Sequence, residues 1–292
     1  MDGLNGRMLR MPSSSSKKQE ILLIGGHHTC IERMFSLAEV LSRYGAVTMP
    51  DLPGFGGMEP FYKIGIKPSI DSFADYLAAF IKLRYKKKKV IVIGFSYSVP
   101  VVVKMLQKYP ELAKKVEFVV SIVGFVHKED FMLPKNKILG LRVLSALGSN
   151  SVAAFLAKYL IVREFIIRML YKVQVNSHSK MKDAKPDEIK DRIDFEVKLW
   201  MLNDLRTWFE TMGEMFHIDL CGQKVNVQMH HVMPKSDVYF DHRVVEQHMK
   251  IIFDDVQVYS TGLPNHVPSI VATAEEIEPF FPKKLQKNFA RL

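Results

Sequence analysis

Apolar and polar positions follow two different patterns along this chain. From residue 20 to 124, short continuous apolar runs take turns with stretches of helical spacing. The runs are ILLIG (21–25), AVTMPD (46–51), VIVIG (90–94) and VEFVVSIVG (116–124). Between them lie IERMFSLAEVLSRYG (31–45), SIDSFADYLAAFIKLRY (69–85) and a helical stretch reaching to about Tyr109. Strands that are apolar at every position are buried on both faces. Their alternation with helices implies a parallel sheet covered by helices. Ser72 and Asp75 have the spacing of a capping box.

From residue 126 to 220 the strand pattern disappears. Long amphipathic segments replace it: ILGLRVLSALG, SVAAFLAKYLIVREFIIRMLYKV and IKDRIDFEVKLWMLNDLRTWFETMGEMF. The alternation then resumes with KVNVQMHHV (224–232), RVVEQHMKIIF (243–253), VQVYS (256–260) and a last helix from about Ser269. The pattern predicts an α/β core in two parts, 20–125 and 221–292. An all-helical insertion at 126–220 splits it, and a disordered polar leader, 1–19, precedes it.

Composition agrees with one large domain. Of 292 residues, 48% are hydrophobic and 25% charged, ordinary for a globular protein with a substantial core. Lysine and arginine outnumber aspartate and glutamate by 41 to 31, so anionic surfaces attract the chain. No nucleic-acid module is visible, and the run KLRYKKKK (82–89) reads as a solvated helix end. Two cysteines, Cys30 and Cys221, are too few for a disulfide framework and fit a reducing, cytoplasmic setting. The leader lacks the apolar core of a signal peptide. The most apolar stretch, 138–162, is too interrupted by Arg142, GSNS and Lys158 to span a membrane.

One short stretch asks for chemistry. In VIGFSYSVP (92–100), an apolar strand stops at Gly94, shows Ser96 between two aromatic residues and restarts as a helix. A nucleophile at a strand-to-helix corner needs small residues two before and two after it, so that the turn can close. Gly94 and Ser98 meet that need. A serine hydroxyl also needs a histidine to take its proton and a carboxylate to hold that histidine.

With these residues the chain resembles the α/β-hydrolase fold superfamily from Glu20 onward. DLPGFGG (51–57) is similar to the superfamily's DxPGxG loop after the fourth strand, and LIGGHH (23–28) stands where an apolar strand ends in HG. The helical insertion falls where the family carries its cap. Four details depart from the family pattern. Gly25 replaces a histidine, Gly57 replaces a serine and Ser98 replaces a glycine. The leader is too short and polar for the first two antiparallel strands, so the sheet is expected to be shortened.

The resemblance implies a mostly parallel, doubly wound sheet and a triad in the chain order serine, acid, histidine. Asp237, in MPKSDVYFDHRV, stands where the family places its acid, and His266, in TGLPNHVPS, where it places its histidine. Asp241 is the second choice of acid, because an aspartate at a helix start is commonly a cap. The backbone amides of His27 and Tyr97 correspond to the oxyanion hole. No metal or organic cofactor is implied. Metal sites at His27–His28 and His230–His231 are rejected, because adjacent strand residues point to opposite faces.

An ester or thioester with an apolar acyl or aromatic portion is the expected small-molecule substrate. Carbon–carbon bond hydrolysis, acyl transfer with the same triad and a non-catalytic receptor or scaffold stay open. Dehalogenases and epoxide hydrolases of this fold need an aspartate where Ser96 stands. Between residues 128 and 172 the insertion holds eight Lys/Arg and three Asp/Glu. That balance, in an apolar segment, suggests weak contact with an anionic membrane surface and a peripheral location there. The oligomeric state has no signature in the sequence.

Overall fold

The computed structural model describes residues 3–173, 186–234, 237–261 and 274–290. Among these residues, seven strands form one sheet in the order β1-β3-β2-β4-β5-β6-β7. They are β1 (Met8–Met11), β2 (Glu20–Ile24), β3 (Ala46–Pro50), β4 (Val90–Phe95), β5 (Val116–Ile122), β6 (Met229–Pro234) and β7 (Val256–Thr261). All neighbouring pairs are parallel except β1 with β3. All six parallel strands therefore end at one edge.

The side-chain period of two splits the core across the sheet. Leu22, Ile24 and Val92 face a cluster with α2 (Ile70–Arg84), α3 (Ser98–Lys108) and α9 (His242–Ile252). Ile21, Leu23 and Ile93 face α1 (Ile31–Ser42) and the aromatic side chains Phe281 and Phe289.

The polar leader predicts disorder, yet Met8–Met11 pairs with β3 from Met8↔Pro50 to Met11↔Val47. Long-range charges hold this short edge strand. Arg10 Nη1 donates to Glu20 Oε2 and Thr48 Oγ1, each at 2.6 Å, and Arg7 bridges Asp51 and Glu32. The sheet thus keeps one antiparallel edge strand.

Other boundaries also move. β6 begins at Met229 rather than 224, and Val225 makes only an isolated bridge to Phe253. The capping box sits one turn earlier than Ser72–Asp75. Ser69 Oγ accepts from Ser72 N–H at 3.1 Å, and Ser72 Oγ accepts from Ser69 N–H at 2.8 Å. The start of the last predicted helix lies outside the described residues, which resume in α10 (Ala274–Ile277) and α11 (Lys283–Ala290).

The insertion is helical: α4 (Lys135–Gly148), α5 (Ser151–Leu160), α6 (Glu164–Val173), α7 (Pro186–Leu202) and α8 (Leu205–Met215). Two predicted long helices are each broken into two. Asp204 caps α8 by accepting from Thr207 N–H at 2.7 Å. Lys158 Nζ donates to the carbonyls of Trp200, Met201 and Asn203 and so closes α7. Buried Arg33 of α1 pairs with buried Glu196 of α7, tying insertion to core.

Candidate functional site

β4 runs into α3 through a turn with one residue in the left-handed region, Ser96, at φ +52°. Its N–H donates to Ile122 O of β5 at 2.9 Å, and its carbonyl accepts from Val99 N–H at 3.0 Å. The neighbours explain how the turn closes. A Cβ on Gly94 would lie 3.2 Å from the Val99 backbone. Ser98 fits the family's glycine position because its hydroxyl is used. It accepts from Phe95 N–H at 2.7 Å and donates to Ile24 O at 2.9 Å.

Among the described residues, two other non-glycine residues have positive φ, His28 (+52°) after β2 and Val123 (+48°) after β5. For a β-branched residue such as Val123 this is a genuine outlier. Among the described residues, all three follow strand ends on one sheet edge. Backbone strain of this kind concentrates at functional sites.

The loop after β2 lies directly against the turn. A Cβ on Gly26 would come 2.9 Å from Phe95 O and 3.2 Å from Ser96 Cβ, so only glycine lets the loop approach. A Cβ on Gly25 would meet Thr29 Cγ2 at 2.4 Å, so a larger residue there requires Thr29 to shift. This puts the His27 segment beside Ser96. The Tyr97 N–H, at the head of α3, has no hydrogen bond among the described residues.

Aromatic side chains wall this corner. The His27 ring packs against Phe55, Trp208 and Tyr97 at centroid distances of 5.4, 5.3 and 5.9 Å. Its Nε2 lies 3.2 Å from Trp208 O and 3.0 Å from Thr211 Oγ1. A carbonyl only accepts, so Nε2 carries the proton. The His28 ring packs on Trp200 at 4.2 Å. Asn203 accepts from Gly56 N–H through Oδ1 and donates through Nδ2 to His28 Nδ1, both at 2.8 Å. His28 Nε2 then bears the proton and faces Glu196 Oε2 at 3.9 Å.

The loop after β3 is fixed from both sides. Asp51 Oδ1 accepts from Ile31 N–H at 2.9 Å, capping α1, and Oδ2 faces Arg7 at 2.7 Å. Burial outweighs Arg7 and pushes the Asp51 carboxyl up to about 6. Gly56 has φ +60°, and a Cβ there would fall 2.3 Å from Asp51 Oδ1.

Asp237 follows β6 with its carboxylate buried. Oδ1 accepts from Tyr239 N–H at 2.8 Å, and Oδ2 lies 2.9 Å from His242 Nε2. His242 Nδ1 lies 3.3 Å from His231 Nε2, and His231 Nδ1 lies 2.9 Å from Ser121 Oγ. The protons can run one way through this chain. Ser121 O–H donates to His231, His231 N–H to His242 and His242 N–H to Asp237. Burial pushes His231 down to about 3, so it stays neutral. Asp241, by contrast, caps α9 through Arg243 N–H at 3.0 Å. His266 lies outside the described residues.

Sequence reasoning missed His242, although it stands at the N-terminus of α9 five residues after Asp237. It also missed Glu214 of α8. Burial pushes this carboxyl up to about 7, and its charge adds to burial in raising the pKa of the Tyr97 phenol, next to Ser96 in the chain. Its Oε2 accepts from Ile70 N–H at 2.7 Å, and it helps line a cleft of about 600 Å³ with Arg142, Ser145, Glu210 and His217. Nothing in the sequence pattern of α8 marks Glu214 apart from the other acids there.

His230 and His231 point to opposite faces of the sheet, the first towards Phe118 and Tyr259, the second towards Ser121. One group among the described residues, His127, Glu129 and His248, brings ligand atoms within 4.8 Å. His127 Nδ1 accepts from Glu129 N–H at 3.1 Å, so the neutral ring holds its proton at Nε2. The group is a hydrogen-bonded cluster with Asp130, which accepts from His248 Nδ1 at 2.6 Å.

No family model matches the sequence, and no curated protein matches it. Solved structures do match the fold. A thermophilic esterase from Thermogutta terrifontis is 12% identical with a TM-score of 0.61, covering 99% of this chain and 92% of its own. The enol-lactonase from Burkholderia xenovorans LB400 is 11% identical at 0.64, covering 100% and 98%. An epoxide hydrolase from Bacillus megaterium is 10% identical at 0.63, covering 99% and 98%. With its mostly parallel sheet, its helical insertion and its strained serine turn, this chain has the α/β-hydrolase fold.

Proposed function

We propose that this protein is a serine hydrolase that cleaves a carboxylic ester or thioester through an acyl-enzyme. The observation that carries this reading is Ser96, held at φ +52° between β4 and α3 with the Gly26 backbone pressed against it. In the proposed reaction Ser96 Oγ attacks the carbonyl while His266 takes its proton. Asp237 holds the other nitrogen of His266, and the amides of His27 and Tyr97 receive the oxyanion. His266 then protonates the leaving alcohol or thiol. Water, deprotonated by the same histidine, releases the acid.

Two features support this assignment. The nitrogens of His242 are both engaged, with Asp237 and His231, so its ring is a brace for the acid rather than a base. An esterase and an enol-lactonase are among the similar folds, and Ser96 stands where epoxide hydrolysis needs an aspartate. The rings of Phe55, Trp200 and Trp208 around His27 and His28 favour a substrate with a hydrocarbon or aromatic portion. Turnover of p-nitrophenyl esters with acyl chains from acetyl to palmitoyl tests the proposal. Activity should rise with chain length above acetyl and vanish in Ser96→Ala. Activity that peaks on acetyl contradicts the apolar substrate, and turnover by folded Ser96→Ala contradicts the nucleophile.

A further inference from the structure

Three consecutive helices of the insertion turn their apolar stripes outward. On α5, Val152, Phe155, Leu156, Tyr159 and Leu160 recur at i, i+3, i+4, i+7 and i+8, and each is 48–66% exposed. A helix of a globular protein normally gives that stripe to the core. The only buried residue of α5 is Ala154. Leu139 and Leu147 on α4 are 60% and 64% exposed, and Phe165 and Val173 on α6 are 70% and 81% exposed. Among the described residues, fifteen of the twenty-three exposed large hydrophobic side chains fall between residues 132 and 173. A concentration of this kind marks an interaction site.

Charge selects the partner. Lys135, Lys137, Arg142, Arg163 and Lys172 are exposed on the same helices or beside them, and none forms an ion pair among the described residues. A two-fold contact between copies would lay this cationic surface on itself, at an electrostatic cost. A polyanionic surface removes that cost. The shape fits as well. No single described helix is long and apolar enough to cross a membrane, while α4 and α5 pass together by length and composition but bend by 97° at their junction. Short helices set nearly at right angles suit the plane of an interface.

We infer that α4, α5 and α6 dock on the surface of an anionic phospholipid bilayer. The apolar stripes enter the boundary between headgroups and acyl chains, and the basic side chains meet lipid phosphates. The site is independent of the reaction proposed above.

Flotation of the full chain with extruded vesicles tests this. One set is phosphatidylcholine alone, and the other contains about a third phosphatidylglycerol. The protein should float with the anionic vesicles at low salt and less at about 0.15 M salt, where the Debye length is about 8 Å. Lys135→Glu with Lys137→Glu should weaken partition about tenfold or more. Phe155→Ser with Leu160→Ser should do the same, and both pairs are exposed, so circular dichroism should show an unchanged fold. Failure to float with anionic vesicles at low salt overturns the inference. So do equal binding to both vesicle types, variants that float like the native protein, and a native dimer that only the Phe155/Leu160 variant dissociates.

Discussion

Replacing Glu196 by glutamine should loosen the insertion from the sheet. The side chains of Glu196 and Arg33 are each 3% exposed. Glu196 Oε1 faces the Arg33 guanidinium, and Oε2 accepts from Tyr171 O–H at 3.1 Å. Arg33 has one further neighbour of note, the Phe195 ring at 4.9 Å from its guanidinium carbon. Glutamine fits the space but leaves the guanidinium buried without a counter-charge. Breaking a buried pair in this way costs about 3–5 kcal/mol. At about 2–4 °C of Tm per kcal/mol for a chain of comparable size, the melting point should fall by about 6–20 °C. Replacing both partners by apolar residues, Arg33→Met with Glu196→Leu, removes the orphaned charge and should restore most of the loss. Thermal melts followed by circular dichroism, with urea titrations of Arg33→Met, Glu196→Leu and the double variant, give the coupling. A single-variant cost under about 1 kcal/mol would refute the reasoning, as would a double variant whose loss equals the sum of the singles.

Asp237→Asn should lower ester turnover by about 10⁴-fold, because an amide favours the wrong histidine tautomer. Asp241→Asn should stay within a few-fold of native, since asparagine caps a helix as well; the reverse ranking would move the acid to Asp241. Glu214 supplies a pH test. Its carboxyl is raised by burial from 4.5 to about 7 in the folded chain. Its contribution to stability is therefore complete below about pH 4.5 and lost as pH rises through 7. Glu214→Gln does not titrate, so its stability relative to native should improve by up to about 3 kcal/mol between pH 4.5 and 8. An equal offset at both pH values in urea titrations would contradict this.

The parts of the fold that rest on local pattern were legible in the sequence. Ile21 to Ile24, apolar at every position and followed by two glycines, read as a strand covered on both faces, and they form one. The turn at Ser96 was legible because small residues at 94 and 98 satisfy a steric need within five residues. Features made by distant partners were not. Met8–Met11 is a strand through its pairing with β3, beside which Arg7 and Arg10 reach Glu32, Asp51 and Glu20. The break between α7 and α8 leaves the apolar period almost intact; Asn203 and Asp204 are taken out of the helix to bond Gly56, Gly54 and His28. Periodicity also located the stripe on α5 without saying which way it faces. A stripe that packs on a core and one that faces outward have the same spacing.

Labelling with a fluorophosphonate probe tests the central claim most directly, because only an activated serine reacts. The native protein should gain one phosphonyl adduct, located on Ser96 by peptide mass spectrometry, and folded Ser96→Ala should gain none. A folded native protein that takes up no probe, or an adduct of equal yield in Ser96→Ala, would contradict the assignment of Ser96 as the nucleophile.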